Sequence, residues 1–204
     1  TNIRSYSANE LKVILNVSLL NKYGYKISHI DKMSPADIED KILGLNQFEA
    51  EKERLVNGMI KDMVSLDMYS FEKNLDIYIA QKGIEKTITE IIFPFLERVG
   101  ILWITNHINP AQEHLSSNII RQKIILGIEK LPKIPTSDKH IVLFMPEGEY
   151  HEIAILFVQF LLKHKGYSID YLGANVPSVD IKYLTEHKKV DHLYAHITAP
   201  IKGF

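Results

Sequence analysis

The stretch HIVLFMPEGEYHEIAILFVQFLLKHKG, residues 140–166, decides the fold of the C-terminal third of the chain. A short apolar run rich in β-forming residues precedes a polar loop and a helix-length apolar segment that ends at Gly166. Downstream, YSIDYLG, VPSVDIKYLTEHK and VDHLYAHIT continue as strand, helix and strand. This alternation predicts an α/β fold with a doubly wound parallel sheet over residues 139–204. Ligands of such sheets bind at the carboxyl ends of the strands, where the loop with Glu149 and His151 is expected.

The region before the sheet has a helical pattern throughout. Residues 34–131 predict an antiparallel four-helix bundle with short links. One helix is predicted over residues 84–107, kinked or loosened at Pro94 and Gly100. The last is predicted over residues 110–131, with Asn109 as its N-cap. The chain is therefore expected to have several domains.

The charge distribution is uneven although the net charge of the chain is only −1. Residues 1–33 hold five basic and two acidic groups, a net +3 on an acidic remainder. A basic end is compatible with contact to phosphate groups. A solvated helix surface explains the same charges equally well, so charge alone leaves both interpretations open.

Cysteine is absent, which excludes disulfides, thiolate metal sites and cysteine nucleophiles. No apolar run approaches the length of a membrane span, and the N-terminus shows no signal peptide. These features predict a cytoplasmic protein with no membrane partner. The chain begins at Thr1 without methionine, and we expect it to be part of a longer protein.

His151 is the strongest candidate ligand because it lies in the loop after the first predicted strand. A neutral imidazole can give one ring nitrogen to a metal while a carboxylate holds the N–H of the other. Glu149 is near enough in sequence to be that carboxylate. Taken alone, a histidine in such a loop is more often ordinary polar surface.

The segments GEYHEIA and GYSIDYLGANVP resemble the cobalamin-binding domain of corrinoid methyltransferases, mutases and a group of transcriptional regulators. The resemblance implies a Rossmann-like fold in which His151 is the lower axial ligand of cobalt and Glu149 belongs to the same motif. Ala154 stands where the family has glycine. The family's downstream serine falls near residues 196–198, His-Ile-Thr, where no serine is present.

A second cluster lies in WITNHINPAQEH, residues 103–114, where Trp103 precedes the pair Glu113-His114. Such a tryptophan is usually a core residue, and an acidic group at a helix start is often favourable surface. The spacing nevertheless resembles the helical cap of MerR-family regulators of the CarH/LitR type, which respond to light and cobalamin. The resemblance implies that Trp103 covers the upper axial face and that Glu113 and His114 lie beside the adenosyl group. Ile104 replaces the family's light-dependent histidine.

The N-terminal sequence TNIRSYSANELKVILNVSLLNKYGYKISHI resembles the second half of a MerR-type winged-helix domain. The resemblance implies that Arg4 and Tyr6 lie near DNA phosphates and that the recognition helix precedes Thr1. We therefore expect a partial DNA-binding domain over residues 1–33 and an incomplete α/β domain over residues 139–204.

Together these resemblances imply a DNA-binding transcriptional regulator, a repressor rather than an enzyme, with cobalamin as cofactor. The expected form is adenosylcobalamin, the expected partners are a double-stranded DNA operator and further copies in a dimer or tetramer, and light is a candidate signal. Two alternatives stay open. One is a corrinoid carrier protein for methyl transfer, and the other is a MerR-type regulator that no longer binds a cofactor.

Overall fold

A computed structural model describes residues 7–43 and 47–198 of the 204-residue chain. The described part is helical up to residue 129 and ends in a parallel three-stranded sheet with two helices, which confirms the predicted α/β class. Among the described residues, no helix combines the length and the apolar character needed to cross a membrane.

The part of the chain before the sheet consists of helices joined by short links. Their bounds are α1 (Ala8–Lys22), α2 (Ile27–Ile30), α3 (Pro35–Leu43), α4 (Gln47–Val64), α5 (Met68–Lys82), α6 (Ile84–Thr87), α7 (Phe93–Ile104) and α8 (Pro110–Glu129). Two compact units divide the chain at Ser116/Ser117, inside α8. The three domains expected from the sequence, with bounds 1–33, 34–131 and 139–204, stay predictions.

The prediction of one helix over residues 84–107, kinked or loosened at Pro94 and Gly100, is confirmed in the disruption beside Pro94 but wrong at Gly100, which α7 runs through, and at its end. A π-helical turn, Ile88–Ile92, separates α6 from α7, and α7 ends at Ile104. Pro94 lacks the N–H that a regular helix would direct to the carbonyl of residue 90, so the chain widens just before it. Residues 105–109 therefore form the loop that leads from α7 to α8.

The core of the first unit lies between α4, α5 and the segment from α6 to α7. The rings of Phe71 and Phe95 meet edge to face with centroids 5.3 Å apart. Glu53 of α4, only 6% exposed, forms an ion pair with Arg98 of α7. Fully buried side chains around them are those of Met59, Ile60, Met63, Leu75, Ile88, Ile91 and Ile92.

The start of α8 is fixed by two polar side chains. The side-chain oxygen of Asn109 accepts a hydrogen bond from the N–H of Ala111 at 2.9 Å, which confirms the predicted N-cap. Gln112 accepts from the N–H of Asn109 at 2.7 Å and donates its amide to the carbonyl of Val64 at 2.8 Å. Because Val64 is the last residue of α4, Gln112 links the end of α4 to the start of α8.

The sheet contains β1 (His140–Pro146), β2 (Ser168–Val176) and β3 (His192–Ala195) in the order β2-β1-β3, all parallel. Helices α9 (Ile153–His164) and α10 (Ser178–His187) connect them. Since β2 and β3 flank β1 on opposite sides, right-handed crossovers place α9 and α10 on opposite faces. The predicted doubly wound arrangement is therefore present, with Ile141, Leu143, Met145 and Ile155 in one buried cluster.

Candidate cofactor site

The loop 147–152 and the residues after β3 meet beside the carboxyl end of β1. Because the strand order reverses at β1, this is the topological switch point, the position at which open α/β sheets bind their ligands. The backbone N–H of His196 donates to the carbonyl of Phe144 at 3.1 Å and carries the chain along β1 toward Thr198. The sheet thus positions residues from two distant stretches of sequence at one edge.

Glu149 is the buried acid of this edge, with only 2% of its surface exposed. One carboxylate oxygen accepts hydrogen bonds from the N–H groups of Tyr150 at 2.9 Å and His151 at 3.0 Å. The other accepts from the N–H and the hydroxyl of Thr198, both at 2.7 Å. Burial by itself raises the pKa of Glu149, but the bonds from Thr198 and His151 outweigh burial and hold it well below its usual range.

His151 is held at one ring nitrogen and exposed elsewhere. Its Nδ1 lies 2.6 Å from the first carboxylate oxygen of Glu149 and 3.0 Å from the hydroxyl oxygen of Thr198. An ionised carboxylate accepts only, so it favours the tautomer in which Nδ1 carries the proton. The side chain is 75% exposed. Nε2 is therefore the nitrogen with a free lone pair, available to a ligand outside the protein surface.

Thr198 is the site residue that the sequence argument missed. Residues 196–198 are noted there only for the absence of a serine, yet the Thr198 hydroxyl contacts both Glu149 and His151. A threonine hydroxyl can make the same bonds as a serine hydroxyl. A hydroxyl residue at the end of the third predicted strand was the signal that could have revealed it.

Asn175 fixes the same loop from the end of β2. It has φ 56°, in the left-handed region that asparagine tolerates better than most residues. Its side-chain oxygen accepts from the N–H of Gly148 at 2.9 Å, and its own N–H donates to the carbonyl of Glu149 at 3.1 Å. The backbone on both sides of Glu149 is therefore attached to β2.

Glu152, directly after His151, contacts two further elements. Its carboxylate accepts from Nε of Arg121 in α8 at 2.8 Å and from the hydroxyl of Tyr171 in β2 at 2.7 Å. Burial, together with the negative charge and hydrogen bond of Glu152, raises the pKa of the Tyr171 hydroxyl. Tyr171 therefore stays a neutral donor at physiological pH.

In the helical unit, Trp103 lies in the last turn of α7 and is 45% exposed rather than part of the core. Ile104, which follows it, is 81% exposed. Glu113 and His114 lie in the first turn of α8, where a Glu113 oxygen is 2.9 Å from Nδ1 of His114. The structure thus pairs Glu113 with His114 and places Trp103 one loop away.

The DNA-contact candidates Arg4 and Tyr6 lie outside the described residues. Ala154 lies in the first turn of α9 and is partly buried. Within residues 7–43 and 47–198, no three histidine or carboxylate side chains converge on a common metal position. His151 would accordingly serve as a single protein ligand, to a metal whose other ligands come from elsewhere.

Comparison with known proteins matches residues 55–126 to the B12 binding domain family. The HTH-type transcriptional repressor CarH of Myxococcus xanthus is 26% identical over 184 residues, covering 87% of this chain and 61% of CarH. The repressor CarA of the same organism is 25% identical over 182 residues, covering 89% of this chain and 59% of CarA. The chain thus spans about three fifths of the length of these curated relatives.

Two solved structures align with this chain at low similarity. One is the methanol:cobalamin methyltransferase complex MtaBC from Methanosarcina barkeri, with 16% identity, 87% of this chain and 67% of that chain covered, and a TM-score of 0.37. The other is a cobalamin-binding protein from Desulfitobacterium hafniense DCB-2, with 17% identity, 71% and 69% coverage, and a TM-score of 0.35.

Proposed function

We propose that this chain, a CarH-like protein with a B12 binding domain, is a transcriptional regulator that binds cobalamin through His151. The observation that carries the proposal is the pair formed by a buried, ionised Glu149 and an exposed His151 at the switch point of the sheet. Such a carboxylate fixes the tautomer and orientation of a metal-ligating imidazole and raises its basicity.

The residues of the edge fit a corrinoid rather than a bare metal ion. A corrinoid carries most of the ligands of its own cobalt, so the protein would need to offer only one. His151 with Nε2 directed outward meets that need, whereas an ion without a macrocycle would need a cluster of protein ligands. When bound, cobalamin supplies a cobalt centre whose upper ligand can be exchanged.

We also propose that Trp103, Glu113 and His114 contact the cofactor. A half-exposed indole at the end of α7 offers apolar area for a flat ligand without displacing core packing. Glu113 and His114 add hydrogen-bonding groups suited to the hydroxyls of an adenosyl group, and adenosylcobalamin is accordingly the proposed form. Ile104 has no lone pair for cobalt, so any response to light through this position requires a different ligand.

Regulation would follow from a difference in the affinity of the cofactor for two states of the chain. We propose that the cofactor-bound and cofactor-free chains differ in oligomeric state, dimer or tetramer against monomer, and hence in affinity for a double-stranded DNA operator. Arg4 and Tyr6 are the proposed phosphate contacts. The similarity to two HTH-type repressors favours a repressor over a corrinoid carrier protein.

The first test is retention of adenosylcobalamin by the whole chain after mixing in the dark and desalting. Wild type is expected to retain the cofactor with a histidine-ligated absorption spectrum, and His151→Ala to lose that spectrum. His187→Ala is the matched control, because His187 is exposed on α10, where it contacts the ring and the carbonyl of Tyr183. Equal spectra for both variants would reject His151 as the ligand, and no retention by wild type would favour a cofactor-free regulator.

The regulatory step is tested with loaded protein and a labelled duplex DNA of mixed sequence, with light scattering to follow the oligomer. Binding that weakens with salt and changes with cofactor or after green light would support the regulator. Retained cofactor with neither DNA binding nor a change in oligomer, in a protein that includes the complete N-terminal domain, would favour the corrinoid carrier instead.

A further inference from the structure

The hydrogen bonds of the Glu152 side chain are unusual for its position at the start of α9. It is the N-cap residue of α9, yet it makes no side-chain cap bond. Its two oxygens are instead used separately, one by Tyr171 of β2 and one by Arg121 of α8. Acidic N-cap residues usually accept hydrogen bonds from the N–H groups of their own helix. The Glu152 carboxylate instead accepts from two residues that are distant in sequence.

Both bonds are of the kind that restrict a side chain strongly. The guanidinium and carboxylate are oppositely charged, and hydrogen bonds between charged groups are shorter and stronger than neutral ones. The Glu152 side chain is mostly buried, at 19% exposure, and Tyr171 packs in the cluster between the sheet and α9. The backbone of Glu152 is thus held at a fixed place relative to β2 and α8.

That fixed place bears directly on His151, whose backbone lies between Glu149 and Glu152. The imidazole is anchored only through Nδ1, and most of its surface is exposed. Its direction therefore depends on the backbone on both sides. Glu149 and Asn175 hold the preceding side, and the Glu152 carboxylate holds the following side.

We propose that Glu152 is a positioning residue for His151, and that Arg121 and Tyr171 act through it to fix the direction in which Nε2 faces the cofactor. This inference rests on the proposed function, because it takes His151 as the cobalt ligand. It also gives α8 a role at the proposed site, because Arg121 of α8 holds, through Glu152, the loop that carries His151.

The test in the loaded protein uses cob(II)alamin, whose electron paramagnetic resonance spectrum shows splitting from an axial nitrogen. Loss of a partner of a metal-ligating histidine typically lowers metal affinity about 10- to 100-fold. Because Glu152 bonds Arg121 and Tyr171 and not the imidazole, we expect Glu152→Gln to weaken histidine ligation by up to about tenfold, the lower limit of that range. The matched control is Glu147→Gln, an exposed carboxylate in the same loop, which should behave as wild type.

A second readout needs no cofactor. In the cofactor-free chain, amide hydrogen exchange of peptides covering residues 149–156 should be faster in Glu152→Gln than in Glu147→Gln. Tyr171→Phe removes one hydroxyl and keeps the buried ring, so it should give a smaller change of the same sign. Tyr171→Phe also replaces Glu152→Gln as the test variant if Glu152→Gln does not fold.

The outcomes separate the two proposals. If wild type shows nitrogen splitting from His151 while Glu152→Gln and Tyr171→Phe match Glu147→Gln in splitting and exchange, the positioning role is wrong and the proposed function stands. If wild type retains no cobalamin, the proposed function fails, and the positioning role toward the cofactor fails with it. Faster exchange together with reduced splitting supports the role of Glu152.

Discussion

Replacing Thr198 by valine tests the geometry of the Glu149–His151 pair with very little change of shape. Valine keeps the β-branched form that suits the end of a strand but lacks the hydroxyl. That hydroxyl donates to Glu149 at 2.7 Å and lies 3.0 Å from Nδ1 of His151. The backbone N–H of residue 198, which also donates to Glu149 at 2.7 Å, is unaffected by the change.

The expected loss of stability depends on the hydrogen bonds that Glu149 keeps in the variant. A hydrogen bond to a charged group contributes about 1.5–3 kcal/mol. The carboxylate retains the N–H groups of Tyr150, His151 and residue 198, together with Nδ1 of His151, so it is not left unsatisfied. We therefore expect a loss at the lower limit, about 1.5 kcal/mol. For a chain of this length that lowers the melting temperature by roughly 3–6 °C.

The dependence on pH distinguishes this bond from a general packing defect. Because the pKa of Glu149 is lowered in the folded chain, its stabilisation is complete above the ordinary glutamate value and is lost as the pH falls through the folded value. The loss of unfolding free energy in Thr198→Val should therefore be complete at neutral pH and smaller in acid. Thr185→Val is the control, because the Thr185 hydroxyl bonds only backbone carbonyls within α10. A deficit that matches the control, or that persists unchanged in acid, would refute the reasoning.

Three further changes test other contacts. Glu53→Gln should lower the free energy of unfolding by about 3 kcal/mol in urea titrations, because it breaks the buried pair with Arg98; a loss under about 1 kcal/mol would contradict a buried pair. Gly166→Ala should lower the melting temperature, since φ is +84° and the new Cβ would lie 2.0 Å from Oγ1 of Thr136. The raised pKa of Tyr171 means that its stabilisation persists below about pH 10 and is lost above it. Tyrosinate absorbance of wild type minus Tyr171→Phe should show this late ionisation, and titration at the ordinary value would contradict it.

Local signals explain what the sequence could predict. The N-cap at Asn109 depends on residues within one helical turn, and both its bonds are present. The Glu149–His151 contact joins residues two positions apart on a loop, so its chemistry was visible in the motif itself. The alternation of strands and helices from residue 140 likewise needed only the change in apolar period.

Contacts that depend on the assembled sheet could not be predicted in the same way. Thr198 reaches Glu149 because β3 pairs directly with β1, a register that spacing in sequence does not reveal. Arg121 and Glu152 are 31 residues apart in the sequence, and the helix that carries Arg121 was predicted to belong to another domain. The π-helical turn before Pro94 was also missed, because a proline in a helical pattern predicts a disruption without specifying its form.

Together, the burial of Glu149 and the exposure of His151 would allow a surface histidine to serve as the proposed ligand. The carboxylate is buried and held by donors of the protein itself. The free-energy cost of burying its charge is therefore part of folding and not of ligand binding. The imidazole at Nδ1 is therefore oriented in advance, and binding does not have to order it. A substitution that loosens the loop, at Thr198, Asn175 or Glu152, should weaken ligation by His151 without removing the imidazole. The effect of each on cofactor retention then measures how much of the affinity comes from this advance ordering rather than from the imidazole itself.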